Sequence, residues 1–312
     1  MTGNALRVMT WNIRTSLADA GRKSDRSGNK VAGRGGSTDW DDRKTAVTEM
    51  VLSHDPDLVG FQEPTERQWK DLKAALGEGW DEVVHSRADT FAAEPHLQGF
   101  FLRRGRFTAR EKGCFWLSDS PDIPGSITFP SDWGARTVSW GRIHDGSAGR
   151  DLVFAVTHFD TNGGFWLPAA KVLAEELRFI AGPLPQVAVG DYNCAAGSEA
   201  WRFLTGKAGF RDAWTVAGLK DEGVTTFNAF TEADRLPLDR PGPLREWMDA
   251  MAHGTPQFAH YPGHVMEHRN YRIDWILLRN GFTPRSVTLD TAVPGGVIPS
   301  DHFPVVAELE WD

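Results

Sequence analysis

The chain has 312 residues, 40% hydrophobic and 24% charged, with a formal net charge of −8. That balance suits a soluble globular protein with a substantial core, and the acidic excess argues against a constitutive, tight nucleic-acid binder, whose affinity comes mainly from Lys and Arg on phosphates. No apolar run approaches the ~20 residues of a membrane span, and two cysteines, Cys114 and Cys194, are too few for a disulfide framework or a paired zinc site.

The N-terminus enters a strand without a signal-type apolar stretch, so a cytoplasmic location without membrane insertion is expected. Leu6 to Arg14 alternates as that strand and delivers Asn12. Residues 15–39 are rich in Gly, Ser, Arg and Lys and read as a loop; its basic part at 21–34 is either solvated surface or a phosphate contact. Trp40 to His54 has helical spacing, with Asp41 and Asp42 where the helix dipole favours acids, and Asp55-Pro56-Asp57 ends it. Leu58 to Phe61 is a second buried strand, with Glu63 at its end. Thr65 caps a helix that runs to Leu76, and Trp80–Val84 and Gly99–Leu102 are further strands, the second followed by Arg103, Arg104 and Arg106.

Arg136 to Trp140 continues as a core strand, and Arg136 suits a phosphate contact and a structural ion pair equally. Asp151 to Thr157 is a strong strand that places His158, Asp160 and Asn162 beyond its end, and Pro168 to Ile180 is an amphipathic helix. Val187-Ala188-Val189 is a short β-branched run ended by Gly190, so Asp191 and Asn193 emerge where a core strand stops. Residues two apart in an extended segment point to the same side. Both can therefore address one small ligand, such as a water and the phosphate it attacks; the alternative is an Asx turn that caps the strand. Ser198 to Leu204 reads as helical, and Phe210 to Trp214 closes that unit.

After the loop Thr225–Phe230, about forty residues intervene before the strand Arg272–Trp275, which carries Asp274, and a segment this long is usually functional. Residues 231–270, which include Pro237, Pro241, Pro243 and Pro262 and the histidines His253, His260, His264 and His268, are therefore expected to form a substrate cap. His264 and His268 could share a helical face as zinc pairs do, or be incidental. Ser300 to Pro304 reads as a strand end bearing Asp301 and His302. No repeat, low-complexity tract or linker divides the chain, so a single domain over 1–312 and a monomer are expected.

Thr10-Trp11-Asn12, Gly60 to Pro64, Thr157 to Asn162, Gly190 to Asn193, Arg272 to Trp275 and Ser300 to Pro304 together resemble, in this order, the endonuclease/exonuclease/phosphatase (DNase I-like) superfamily. These are metal-dependent phosphoesterases that include nucleases, deadenylases, inositol polyphosphate phosphatases and sphingomyelinases. The resemblance covers nearly the whole chain. Phe115 to Pro121 matches a motif of a bacterial subgroup, whereas Leu102 stands where those members usually carry a tyrosine.

The resemblance implies an α/β fold of two packed mixed β-sheets flanked by helices, in four layers. It also implies a divalent-metal-dependent phosphoester hydrolase using in-line attack by an activated water. Glu63, with Asn12 and Asp301, would hold Mg²⁺ or Mn²⁺, ions that prefer oxygen donors. Asp191 would activate the water and Asn193 would stabilise the pentacoordinate centre. His302, its tautomer fixed by Asp274, and His158 would contact phosphate from opposite sides. Asp160, Asn162 and Arg136 are the expected substrate-side residues. The substrate would be nucleic acid or a small phosphoester, and the competing reading is a binding protein on the same scaffold without catalysis.

Overall fold

The computed structural model describes residues 5–16, 39–88, 96–221, 223–228, 230 and 272–312. The basic stretch at 21–34 and the expected cap at 231–270, with its four histidines, lie outside the described residues.

Twelve strands form two six-stranded sheets among the described residues. The strands are β1 (Ala5–Asn12), β2 (Leu58–Gln62), β3 (Trp80–Ser86), β4 (Leu97–Arg103), β5 (Phe107–Trp116), β6 (Thr137–Asp145), β7 (Arg150–His158), β8 (Gln186–Asp191), β9 (Arg211–Asp212), β10 (Asp274–Arg279), β11 (Phe282–Leu289) and β12 (Val305–Trp311). The helices are α1 (Trp40–His54), α2 (Glu66–Leu76), α3 (Gly163–Ala181), α4 (Glu199–Arg202) and α5 (Ala213–Val216). The first sheet runs β11-β12-β1-β2-β4-β3 and the second β5-β6-β7-β8-β10-β9. Each contains one parallel pair, β1 with β2 and β7 with β8, and the crossovers that parallel pairing requires carry α1 and α3.

The period-two alternation of β8 sorts its side chains between layers: Val187 and Val189 enter the core between the sheets, while Ala188 joins the cluster under α3. In the inter-sheet core Val8, Leu58 and Phe100 of the first sheet join Phe154, Val156 and Val189 of the second. Met9, Trp11, Phe61 and Phe101 share an outer cluster with Val47 and Val51 of α1 and Trp69 and Leu72 of α2. The result is the expected four-layer α/β sandwich. No helix among the described residues is long and apolar enough to cross a membrane.

Helix ends follow local chemistry. Asp39 caps α1 by accepting from Asp41 N, and Thr65 and Gln68 form a reciprocal capping box on α2. α3 begins five residues before Pro168, because Asn162 accepts from Gly164 N and caps it there; the proline ring sits inside the helix at the cost of one hydrogen bond to the preceding turn.

Two strand assignments need correction. Asp274 opens β10 instead of lying within a strand, and Ser300–Pro304 leads into β12 instead of ending a strand. β10 runs antiparallel to β8 and β12 antiparallel to β1, so their starts stand beside the ends of β8 and β1. Strand ends and strand starts thus share one rim.

The seam below that rim is tight. A Cβ on Gly190 would lie 2.1 Å from the Thr157 carbonyl oxygen on β7, and backbone cannot rotate away as a side chain can. Gly190→Ala should therefore destabilise the protein by about 3 kcal/mol through overpacking. The check is a urea midpoint, and an unchanged midpoint at unchanged slope would contradict this close approach.

Candidate active site

Asn12 ends β1, Glu63 follows β2, His158 ends β7 and Asp191 ends β8, while Asp274 begins β10 and Asp301 and His302 precede β12. The ladders set neighbours directly, pairing His158 with Asp191 and Asp191 with Asp274. Just past the strand ends the backbone turns left-handed at Arg14, Glu63 and Asn193, with φ of 57°, 69° and 49°. Asn adopts this region readily, but Arg and Glu do so at a cost, so these bends must be held by other bonds.

The holding bonds are on the rim. Asn12 Nδ2 donates to Glu63 Oε1 at 3.1 Å and to Asp191 Oδ2 at 3.0 Å, joining the two sheets. Thr15 N donates to the other oxygen of Glu63 at 3.0 Å, and Asn12 Oδ1 accepts from Arg14 N at 3.0 Å. Asn193 N donates to Asp191 Oδ1 at 2.9 Å. The Asn193 side-chain amide donates to Phe159 O at 2.9 Å and lies 3.0 Å from His158 Nε2. His302 Nδ1 is 2.9 Å from Asp274 Oδ2, and its Nε2 is 3.7 Å from Asp191 Oδ2. His158 Nε2 approaches the same oxygen to 3.4 Å.

Burial makes these contacts electrostatically strong. It pushes the Asp191 carboxyl up, the Asp274 charge adds to this, and together they outweigh His302 and the Asn12 and Asn193 donors, leaving Asp191 raised to about 7. Burial alone would lower His302, but Asp274 and Asp191 overcome it and raise the imidazole to about 10. His158 is held well below its ordinary value by burial and by Arg136. Burial opposes ionisation of Glu63, yet nearby positive charge, that of Arg14 foremost, outweighs it and keeps the carboxyl below the usual carboxylate range. Near neutral pH the rim therefore carries an anionic Glu63, a cationic His302, a neutral His158 and an Asp191 poised between states.

The remaining sequence-derived candidates are placed differently. Arg136 is 3% exposed and its Nε and Nη2 lie 3.1 and 3.0 Å from Asp160 Oδ2, which is the ion-pair alternative. Asp160 also accepts from Ser131 Oγ and from the backbone N of Asp132, Trp133 and Asn162. Asn162 caps α3 and donates to Asp132 Oδ1 at 3.1 Å. These three side chains anchor the loop before β6 to the end of β7. Asp301 meets the rim through Arg14, whose Nε lies 3.7 Å from Asp301 Oδ2 and whose Nη1 lies 3.9 Å from Glu63 Oε2.

Sequence reasoning missed Arg14, although the two-residue rule applied to Asp191 and Asn193 also pairs Asn12 with Arg14. It also missed Thr226, whose hydroxyl accepts from Ile273 N at 3.0 Å and Asp274 N at 3.2 Å, and Ser300, whose hydroxyl donates to Asn12 O at 2.7 Å.

The model of the endonuclease/exonuclease/phosphatase family matches residues 9–302, a span that contains every rim residue named above. The chain belongs to this family. A solved endonuclease/exonuclease/phosphatase from Bacteroides vulgatus has a TM-score of 0.73 to it at 23% identity, covering 99% of both chains. A mannosyl-6-phosphatase from Bacteroides thetaiotaomicron gives 0.71 at 24% identity, covering 98% of this chain and 100% of that one. At such identities the likeness supports the DNase I-like fold alone. Nocturnin from Drosophila melanogaster is 23% identical over 326 aligned positions, covering 99% of this chain and 47% of that protein. The chain spans less than half the length of the curated relatives it matches.

The Arg136–Asp160 pair yields a stability test. Burial works against the Asp160 charge, but Arg136 and the backbone donors outweigh it and hold the carboxyl below its ordinary value. A carboxylate lowered in the folded state contributes stability above its unfolded value and loses that contribution as pH falls through the folded one. Asp160→Asn should therefore cost about 3–5 kcal/mol near neutral pH, the range for stranding a buried partner charge. Urea midpoints of variant and wild type should converge in acid, and a constant separation across the titration would exclude the pair as its source.

Proposed function

We propose that the chain is a divalent-cation-dependent phosphoester hydrolase in which Asp191 activates water for in-line attack. The observation that carries this reading is the meeting of groups from both sheets at one end of the sandwich: Asn12 Nδ2 bonds both Glu63 and Asp191, and His158 Nε2, 3.0 Å from the Asn193 side-chain amide, and His302 Nε2 approach the same Asp191 oxygen to 3.4 and 3.7 Å. Asn12, Glu63 and Asp301 are the residues assigned to Mg²⁺ or Mn²⁺. Their donor set fits a hard ion: two carboxylates and an amide, with Glu63 kept anionic and the Arg14 guanidinium already drawn toward both acids. When bound, the cation supplies charge neutralisation at the phosphoryl group and at the departing alkoxide.

Asp191, Asp274 and His302 also bring three potential ligand atoms within 4.8 Å of one another. His302 is assigned as a hydrogen-bond donor, since Asp274 Oδ2 engages its Nδ1 at 2.9 Å and its Nε2 faces Asp191.

Asp191 orients the attacking water and takes its proton, a task suited to a carboxyl raised toward neutrality. His302 donates from Nε2 to a nonbridging oxygen, and Asp274 holds both the ring orientation and its proton. Asn193 donates to the phosphoryl group as charge accumulates there. His158, neutral and beside the Asn193 amide, contributes from the opposite side of the phosphate. Arg136, Asp160 and Asn162 are assigned a substrate role through the loop they anchor, because their own polar groups are engaged with one another and with backbone.

The acidic net charge favours a small phosphorylated substrate over a nucleic acid. The mannosyl-6-phosphatase neighbour makes sugar phosphates the first compounds to assay, with nucleotides, DNA and RNA as the competing arm. Asp191→Asn and His302→Ala should each lower Mg²⁺-dependent turnover by roughly 1,000-fold while the proteins remain folded. Turnover is read on that substrate panel and on bis-p-nitrophenyl phosphate, and wild-type-like hydrolysis by either purified variant would refute the assignment.

A further inference from the structure

Arg43 stands in the first turn of α1 with no exposed surface. Its Nη1 donates to Ile13 O at 2.8 Å and to Pro299 O at 2.7 Å, and its Nη2 donates to Arg14 O at 3.0 Å. The guanidinium also lies 5.4 Å from the ring of Trp40 and 5.5 Å from that of Phe230.

The three carbonyls belong to two segments remote in sequence. One is the exit of β1, which carries Asn12 and Arg14 and sends Thr15 N to Glu63. The other is the approach to β12, which carries Ser300, Asp301 and His302. Phe230 adds a third segment, since Phe230 N bonds Asn228 Oδ1 and Asn228 N bonds Asp301 O. A planar fork of fixed donors can hold carbonyls from separate segments at set spacing, whereas an ammonium is a point charge on a flexible stem.

We propose that Arg43 is a positioning residue for the cation cradle, registering Asn12 and Glu63 against Asp301 from beneath the rim without touching substrate. The inference rests on the assignment of those three residues to the cation. Arg43 does not hold the seam alone, because Ser300 Oγ bonds Asn12 O at 2.7 Å and Gln68 Nε2 bonds Arg14 O at 2.8 Å. Loosening one of several supports leaves the fold standing but shifts the donors, and Mg²⁺-type sites tolerate displaced donors poorly. Arg43 therefore affects ion affinity more than folding.

The test is Arg43→Lys in the full chain, stripped with EDTA and titrated with Mn²⁺ alone by calorimetry and electron paramagnetic resonance. The Mn²⁺ dissociation constant should rise about tenfold or more, as for other residues that orient metal ligands. The urea midpoint in EDTA should move little, and most of the turnover should return at saturating Mn²⁺. Wild-type Mn²⁺ affinity in the variant would overturn the inference while leaving the cation assignment intact. Failure of the wild type itself to bind Mn²⁺ would instead remove the cation assignment and this inference with it. Should the variant lack a cooperative transition in EDTA, its recovery on adding Mn²⁺ supports the proposal, and its continued absence makes Arg43 a general scaffold residue and overturns it.

Discussion

The side-chain amide of Asn12 donates at once to Glu63 in its own sheet and to Asp191 in the other. The apolar contact between the sheets supplies most of the attraction, but burial of Val8, Leu58, Phe154 and Val189 has no direction and tolerates small slides. Hydrogen bonds of fixed length do not. Within the first sheet the same register is set by Trp11 Nε1 on His302 O and by Ser300 Oγ on Asn12 O. Strand polarity decides where such bonds form: the ends of β1 and β8 meet the starts of β12 and β10, so the polar groups gather at one end of the sandwich.

At that end a single buried acid acts on two neighbours. The Asp274 charge helps His302 keep its proton and raises the Asp191 carboxyl, because it attracts the imidazolium and repels a second carboxylate. One group is thereby fixed as a donor, and the other is brought to where it can accept a proton from water near neutrality. Environments that separate the protonation states of adjacent groups divide acid from base roles. The Thr226 hydroxyl, bonded to the backbone N of Ile273 and Asp274, holds the start of β10 that carries this acid.

Local chemistry made much of this legible in the sequence. Helix α1 has the bounds its apolar spacing and flanking Asp and Pro residues suggest, and Thr65 caps α2 as read. Six short motifs in order pointed to the fold and the rim residues. What escaped was non-local or unpatterned. β5 has no sequence signature, because Thr108 to Glu111 is exposed on an edge strand whose neighbour is β6, so no alternation marks it. Pro168 read as the start of α3 because a ring there is usually a first-turn residue, and the cap at Asn162 lies in a cluster read as site. The sequence marks Asp274 and Asp301-His302 as site residues, but whether a strand starts or ends there depends on pairing direction, which no local window carries. The engagement of Arg136 with Asp160 across the β6–β7 seam is likewise a property of the folded chain.

The rim also holds itself against strain. Left-handed backbone at non-glycine residues costs on the order of 1–3 kcal/mol each and persists only where the surroundings over-determine it. Here the over-determining bonds are made by the functional groups: Asn12 Oδ1 takes Arg14 N, Glu63 is bonded by Thr15 N and Asn12, and Asp191 Oδ1 takes Asn193 N. The Glu63 bend aims a carboxylate that Asn12, Thr15 and Arg14 restrain, while the Asn193 bend aims an amide held by Phe159 O beside His158. Groups connected in this way behave as one unit, so removing any member releases strain and orientation together. The effects of single substitutions at this rim therefore should not be summed as independent contributions, and Asn12, with bonds to three of these residues, is where such coupling is concentrated.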